Sequence, residues 1–260
     1  EAFPGYATAT DTRVKCPSPV YFTIKLDGEA VAFDKATCEE NVRRLDLGSG
    51  ILFRTARWRL ADGRCFEIKA ERLVPVDGDA MVASSIEFRP VNFSAHVILQ
   101  PDFGHSGLVS LHGDDPRISG AAQINWEYLP EKDGLFRFRG GECEFACRQK
   151  LENAESEPVA NGRVEGGLSA GEALAFRRIV AFAFGRDGEE AILPAGELPS
   201  YDELKRRQAE HMARATEDMA VHIDGDGGLA GAIKFNLWHF LQSASRNPAH
   251  SIAAKGLTGG

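Results

Sequence analysis

The chain has 260 residues, a net charge of −8 and 43% hydrophobic residues. That is enough for one large domain, or one domain with an appendage, and no apolar run is long enough to span a bilayer as a helix. The 30 basic residues are scattered rather than gathered in a stripe, which argues against a nucleic-acid partner and against a membrane surface.

Residues 19–180 read mostly as strands. The run 20–26 alternates and ends in Asp27-Gly28, a hairpin signal. Residues 50–76 form two long alternating runs joined at Ala61-Asp62-Gly63. Further runs follow at 80–91, 94–103, 121–129 and 134–151, and a last strand at 172–184. A long, hairpin-rich antiparallel succession predicts a mainly β fold, a large β-sandwich. The pattern then changes. Ser200-Tyr201-Asp202-Glu203 is a capping-box signature. Tyr201, Leu204, Met212, Ala215 and Met219 follow at helical spacing, so 201–219 is expected to be an amphipathic helix. Asp226 is placed to cap a second helix over about 229–245. Ile233, Leu237, Phe240, Leu241 and Ala244 share one face of it. The expected organisation is a sandwich domain over 1–190 and linker helices over 191–260.

Several motifs invite a chemical reading. Gly167-Leu168-Ser169-Ala170-Gly171 matches the nucleophile elbow, but the elbow needs a strand before the serine and a helix after it. Here a strand-like run follows, and a glycine-rich turn is the better reading. Asp224-Gly225-Asp226 resembles the start of a calcium loop, yet Phe235 stands where the bidentate glutamate belongs. Asp114 and Asp115 are adjacent carboxylates without a ligand pattern. His96, His105 and His112 lie near Asp102, Asp114 and Asp115 in sequence, the residue types of a general acid–base pair, though spacing alone does not bring them together. Asn236, His239 and Gln242 make a polar stripe on the second helix. Cys16, Cys38, Cys65, Cys143 and Cys147 are an odd set without zinc-ligand spacing. They read as small buried hydrophobes, in a reducing, cytoplasmic compartment because no basic, apolar leader opens the chain.

The residues also carry a resemblance. Ile233 to Arg246, followed by Ile252-Ala253-Ala254-Lys255-Gly256-Leu257-Thr258-Gly259, resembles the entry to the catalytic barrel of glycoside hydrolase family 65, which includes maltose, trehalose and kojibiose phosphorylases. Arg44-Leu45-Asp46-Leu47, Gly50-Ile51-Leu52, Arg54, Trp58, Gly63, Ala170-Gly171-Glu172 and Arg186-Asp187 match the family's N-terminal domain in order, while Gly231 departs from its usual polar residue. The resemblance implies a galactose-mutarotase-like supersandwich, linker helices and then an (α/α)₆ barrel. It implies an enzyme that cleaves α-glucosidic bonds of disaccharides with inversion. A barrel glutamate would protonate the glycosidic oxygen while phosphate, or water activated by a second carboxylate, attacks the opposite face. The catalytic groups belong to segments beyond Gly260, so no catalytic, cofactor or metal residue is expected in this chain. Inorganic phosphate would be a co-substrate of a phosphorylase, an α-linked glucose disaccharide the partner of the whole enzyme, and homodimer contacts a role for the sandwich. The chain is expected to be a fragment that lacks the sheet's first strands. Two other readings use the same sandwich. One is a stand-alone carbohydrate-binding module with Trp58, Trp126 and Trp238 as stacking platforms. The other is a mutarotase-type epimerase, which needs a His acid and a carboxylate base converging in a cleft.

Overall fold

The computed structural model describes residues 16–76, 80–104, 126–130, 134–153, 162–218, 223, 225 and 227–243. Among the described residues, twelve strands and two α-helices run in chain order. The strands are β1 (Ser18–Leu26), β2 (Glu29–Ala30), β3 (Thr37–Asp46), β4 (Ile51–Arg59), β5 (Cys65–Leu73), β6 (Met81–Pro90), β7 (Ala95–Gly104), β8 (Glu127–Pro130), β9 (Leu135–Gly140), β10 (Cys143–Asn153), β11 (Val164–Leu168) and β12 (Leu174–Gly185). The helices are α1 (Tyr201–Asp218) and α2 (Gly227–Ser243). The strands form a four-stranded sheet, β11-β7-β1-β2, and an eight-stranded sheet, β3-β4-β5-β6-β12-β10-β9-β8. Their pairings are antiparallel, as the alternating sequence predicts.

The strands differ from expectation in three places. Residues 134–151 are two strands, because Gly141 takes a φ of 59° and turns the chain between β9 and β10. β3 escapes the alternation test because both its faces are largely exposed, leaving it no apolar face to show. β11 lies in the glycine-rich stretch read as a turn. It is a strand because its backbone pairs with β7, from Val164↔Leu99 to Leu168↔Ala95.

The period of two assigns each residue of the large sheet to one of two cores. Phe66 and Ile68 of β5, Ile86 and Phe88 of β6, and Phe176 of β12 point toward the small sheet. They pack there on Ile24, Leu26, Val97 and Leu99. The intervening residues Leu73, Met81, Ala83, Ile179 and Ala181 point the other way and meet Leu198, Tyr201 and Leu204. The first helix therefore closes the outer face of the large sheet. A third cluster of Val82, Phe138, Phe145, Cys147 and Val180 fills the far end.

One charged side chain crosses the sandwich core. Arg178 on β12 is 2% exposed. Its guanidinium donates to the carbonyl oxygens of Pro19 at 2.6 Å, Tyr21 at 3.3 Å and Asp102 at 2.9 Å, all on the small sheet, and to Gln149 Oε1 at 3.0 Å. It also lies 4.6 Å from the centre of the Phe103 ring. Burial pulls its pKa down to about 10.

The first helix starts as the sequence predicts. Ser200 Oγ accepts the Glu203 N–H at 3.2 Å, and the carboxylate of Glu152 on β10 accepts the Tyr201 N–H at 3.1 Å. Tyr201, Leu204 and Met212 are buried as expected, and Gln208 is buried among them. Gln208 Oε1 accepts the Val76 N–H at 3.0 Å. Its amide nitrogen would lie 2.5 Å from a Cβ at Gly50, whose φ is +66°. Glycine is required there on both counts.

Two outcomes follow. Arg178→Ala leaves the small-sheet carbonyls without their donor and lowers unfolding stability in urea by about 2–4 kcal/mol. Arg178→Lys recovers only part, because one ammonium cannot reproduce the guanidinium fork. Ser200→Ala removes one helix cap and costs about 0.5–2 kcal/mol, read as a lower denaturation midpoint at unchanged slope.

Candidate functional site

The structure separates the groups that sequence proximity had associated. Ser169 does follow a strand, β11, but the chain then turns into β12 rather than a helix. Its N–H donates to Glu172 Oε2 at 2.7 Å, and the Glu172 N–H donates back to its carbonyl at 3.1 Å. This is a closed, exposed turn around Gly171, whose φ is +89°. His96 and Asp102 both lie on β7, six residues apart, or about 20 Å along a strand. His96 is engaged through its backbone, its N–H donating to Asp27 Oδ1 at 2.9 Å. Asp102 Oδ1 accepts the Phe103 N–H at 2.7 Å. His105, His112, Asp114, Asp115, Asp224 and Asp226 lie outside the described residues, as do Met219 and Ala244.

The cysteines divide. Cys65 and Cys147 are buried, Cys16 and Cys143 are partly buried, and Cys38 is exposed on β3, so the buried reading holds only in part. Burial pushes the Cys16 thiol up to about 11 and the Cys147 thiol up to about 12. Such thiols stay protonated and unreactive at neutral pH. Among the described residues, no group of three or more His, Cys, Asp or Glu is placed to hold a metal ion. The three tryptophans are partly buried. Trp58 meets the Phe33 ring edge-on at 4.9 Å, Trp126 lies 6.3 Å from Phe145, and the Trp238 indole N–H is buried without an acceptor.

What the fold does organise is the exit from the sandwich. The outer face of β10 carries Glu144, Arg148, Lys150 and Glu152 in alternation, and these side chains hold the backbone of residues 191–201. Glu144 Oε1 accepts the Ala191 N–H at 3.2 Å. Arg148 donates to the carbonyls of Pro194 and Gly196. Lys150 donates to that of Leu198 at 3.2 Å, and Glu152 then takes the first N–H of α1. Arg137 and Arg139 on β9 hold Glu144 at 2.5 and 3.3 Å. Burial acts to raise the Glu144 pKa. The hydrogen bonds from Ala191, Arg139 and Arg137 outweigh it and hold the carboxyl below its ordinary value. On the neighbouring face Tyr201 Oη donates to Glu71 Oε2 at 2.9 Å, and Lys205 meets the same oxygen at 2.6 Å. Burial, then the Glu71 charge, push the Tyr201 phenol upward. The alternation of β10 was legible in sequence, but its partner, a linker backbone, carries no side-chain signal.

Beyond α1 the second helix runs over 227–243, two residues earlier than expected at each end. Leu229, Phe235 and Phe240 are exposed, Phe240 by 60%. Phe240 departs from the helix face it was expected to share with Ile233, Leu237 and Leu241: it faces solvent, while those three are half-buried. His239 sits edge-on between Phe235, at 4.4 Å, and Trp238, at 5.2 Å. Asn236 is exposed, so the polar stripe lines no cavity at that point.

Fold and site together define an antiparallel β-sandwich domain that ends in a fixed linker and two helices, one of them apolar on its open side. The chain belongs to glycosyl hydrolase family 65: the model of that family's N-terminal domain matches residues 1–215. Among its relatives, an α,α-trehalose phosphorylase of Thermoanaerobacter brockii is 24% identical over 98% of this chain and 36% of its own length. The kojibiose phosphorylase of Escherichia coli K12 is 23% identical over 95% and 34%. A solved putative kojibiose phosphorylase from the human microbiome superposes with a TM-score of 0.67 at 18% identity, over 92% of this chain and 33% of that one. The last likeness bears on the fold. The chain thus spans about a third of the length of the relatives it matches. Among the described residues, no helix is long and apolar enough to cross a membrane.

The depressed Glu144 pKa has a consequence for acid stability. A carboxylate held below its unfolded value contributes stability that is fully present above the unfolded pKa and is lost as pH falls through the folded one. The contribution of Glu144 therefore begins to fall below about pH 4.5, the ordinary glutamate value, and is gone once pH lies below the lowered folded-state pKa. In Glu144→Gln the melting temperature at pH 7 is lower than wild type, and the gap narrows as pH falls from 5 toward 3. Parallel pH profiles for the two proteins would show that the carboxylate does not anchor the linker.

Proposed function

We propose that this chain is the non-catalytic N-terminal portion of an enzyme that cleaves α-glucosidic bonds of disaccharides with inversion, and that α2 is the surface on which the catalytic portion sits. The observation that carries this reading is α2 itself. Of its 17 residues only Lys234 is charged, and Leu229, Phe235 and Phe240 are bare. A helix with so little charge and with large apolar side chains on its open side calls for cover, since soluble proteins seldom leave large apolar patches uncovered. Each such side chain covered by a partner contributes about 1.5–3 kcal/mol. The names of the relatives favour phosphorolysis over hydrolysis, with inorganic phosphate as co-substrate, and trehalose or kojibiose as the class of disaccharide. In this division of labour the sandwich contributes no acid or nucleophile. Its β10 rail fixes the linker, the linker fixes α1, and the chain delivers α2 to the catalytic portion. No cofactor has a part in the reading.

A stand-alone carbohydrate-binding module has less support. Stacking on a sugar needs an open aromatic face, whereas the three tryptophans are each partly buried against neighbours.

The test has two arms. The 260-residue chain, incubated with trehalose, maltose or kojibiose, with and without phosphate, releases neither glucose nor glucose 1-phosphate. In light scattering it self-associates through α2, and Phe235→Lys with Phe240→Lys returns it to a monomer while the sandwich melts as before. Turnover by the clean chain would end the non-catalytic reading. A wild-type chain that is already monomeric would end the role given to α2.

A further inference from the structure

The two sheets differ in width, and beyond β1 the inner face of β3, β4 and β5 forms an open groove of about 460 Å³. That size lies within the range of small-ligand sites. Its floor and walls are apolar and aromatic, with Phe22, Phe33, Trp58 and Ile68 among them.

Three arginines stand in this groove: Arg43 on β3, Arg54 on β4 and Arg72 on β5. Arg43 and Arg54 are direct cross-strand partners. Arg72 faces Leu52, two positions along from the partner of Arg54, so it lies diagonal to Arg54 at about 7–8 Å. Like charges directly opposite on a sheet are destabilising. No ion pair among the described residues joins Arg43, Arg54 or Arg72 to a carboxylate, whereas Arg57 and Arg59, on the same hairpin, both pair with Glu39. Glu71 contributes to the groove wall, but its carboxylate is on the other face of the sheet, held by Tyr201 and Lys205. Arg54 is held in place, its Nε donating to Asn41 Oδ1 at 2.9 Å. Arg43 and Arg72 line the groove as exposed residues and Arg54 is half-buried. Partial desolvation, and then the Arg54 and Arg43 charges, pull Arg72 below the usual arginine range against an opposing contribution from Tyr21.

We propose that this groove is an oxyanion-binding site, in which Arg43, Arg54 and Arg72 hold a phosphate group against an apolar wall. Guanidinium forks match the geometry of phosphate oxygens and form short, charge-assisted hydrogen bonds. A bound dianion would offset two of the three like charges that face one another in the groove. The phosphate could be free inorganic phosphate or the ester group of a phosphorylated sugar whose ring lies against Trp58 and Phe33. This inference stands apart from the function proposed above, because it rests on the sandwich alone.

The test is calorimetric titration of the 260-residue chain with sodium phosphate, against sodium chloride at matched ionic strength. Phosphate is expected to bind saturably, one per chain, and to raise the melting temperature. Arg54→Gln and Arg72→Gln should each weaken binding at least tenfold. Arg44→Gln, on the same strand as Arg43 but turned to Phe53 on the opposite face, should leave it unchanged. Without phosphate, Arg72→Gln should melt no lower than wild type, which shows that lost binding is not lost folding. Glucose 6-phosphate binding more tightly than inorganic phosphate would assign the site to phosphorylated sugars, and equal binding to the free oxyanion. Phosphate acting no differently from chloride, or binding that persists in Arg54→Gln/Arg72→Gln, would overturn the proposal.

Discussion

The structure depends on a sheet whose central strands are apolar on both faces. β6 and β12 present Ile86, Phe88 and Phe176 to one layer and Met81, Ala83, Ile179 and Ala181 to another. A strand with two apolar faces cannot be left with one of them in water. The small sheet covers one face, and α1 has to cover the other. The first helix is therefore part of the sandwich's own core rather than an attachment to it. Tyr201 and Leu204 are as buried as any strand residue. The boundary expected at residue 190 separates sheet from helix in sequence, while the hydrophobic core continues across it.

Two kinds of charge hold these layers in register. Arg178 lies in the sandwich core without a carboxylate partner, and it tolerates this because carbonyls of two strands and the Gln149 amide accept its protons. Carbonyl dipoles solvate the cation at fixed positions, so the small sheet can slide over the large one only by breaking these bonds together. On the other face, the β10 side chains address the linker mainly through backbone N–H and C=O groups, with one side-chain pair, Lys150–Glu197 at 3.6 Å. That fixes the path of the linker, whose Ala191 and Leu198 are buried while other positions are open to solvent. Ile192 is 82% exposed within it.

The sheet was legible wherever burial differed between faces. β4, β5, β6, β7 and β12 lie within one to three residues of the alternating runs that predict them. β3 carries no such contrast, and its absence from the sequence reading hid the arginine cluster, since Arg43 meets Arg54 only once β3 is paired with β4. β11 was hidden by its glycines, which lower strand propensity but do not prevent backbone pairing. The α1 stripe was legible except at Gln208, a polar residue whose burial depends on the Val76 N–H more than a hundred positions away in sequence. The residue types at Ser169 and His96 did resemble catalytic motifs. Chemistry depends on convergence in space, and β7 and β11 carry these residues to exposed turns and sheet positions instead.

The two helices differ in how well water suits their open sides. The first carries charged residues along its open side and Arg206–Glu210 pairing at i, i+4, so water is an adequate solvent for whatever the sheet does not cover. The second has one charged residue, Lys234, and no such pair among the described residues. It includes Gly228 and Gly231, and a glycine inside a helix costs about 1 kcal/mol relative to alanine. A 17-residue helix is near the shortest that is stable alone even in alanine-rich sequences. Its acidic first-turn and basic last-turn residues are missing too, which removes the macrodipole contribution. With propensity, ion pairs and end charges all unfavourable, the remaining source of helix stability is burial of side chains. The sandwich gives α2 only part of that, since Leu229, Phe235 and Phe240 stay in solvent. A helix without acidic first-turn or basic last-turn residues, with Phe235 and Phe240 on its open side, is one that the covering surface proposed above would stabilise by burying those side chains.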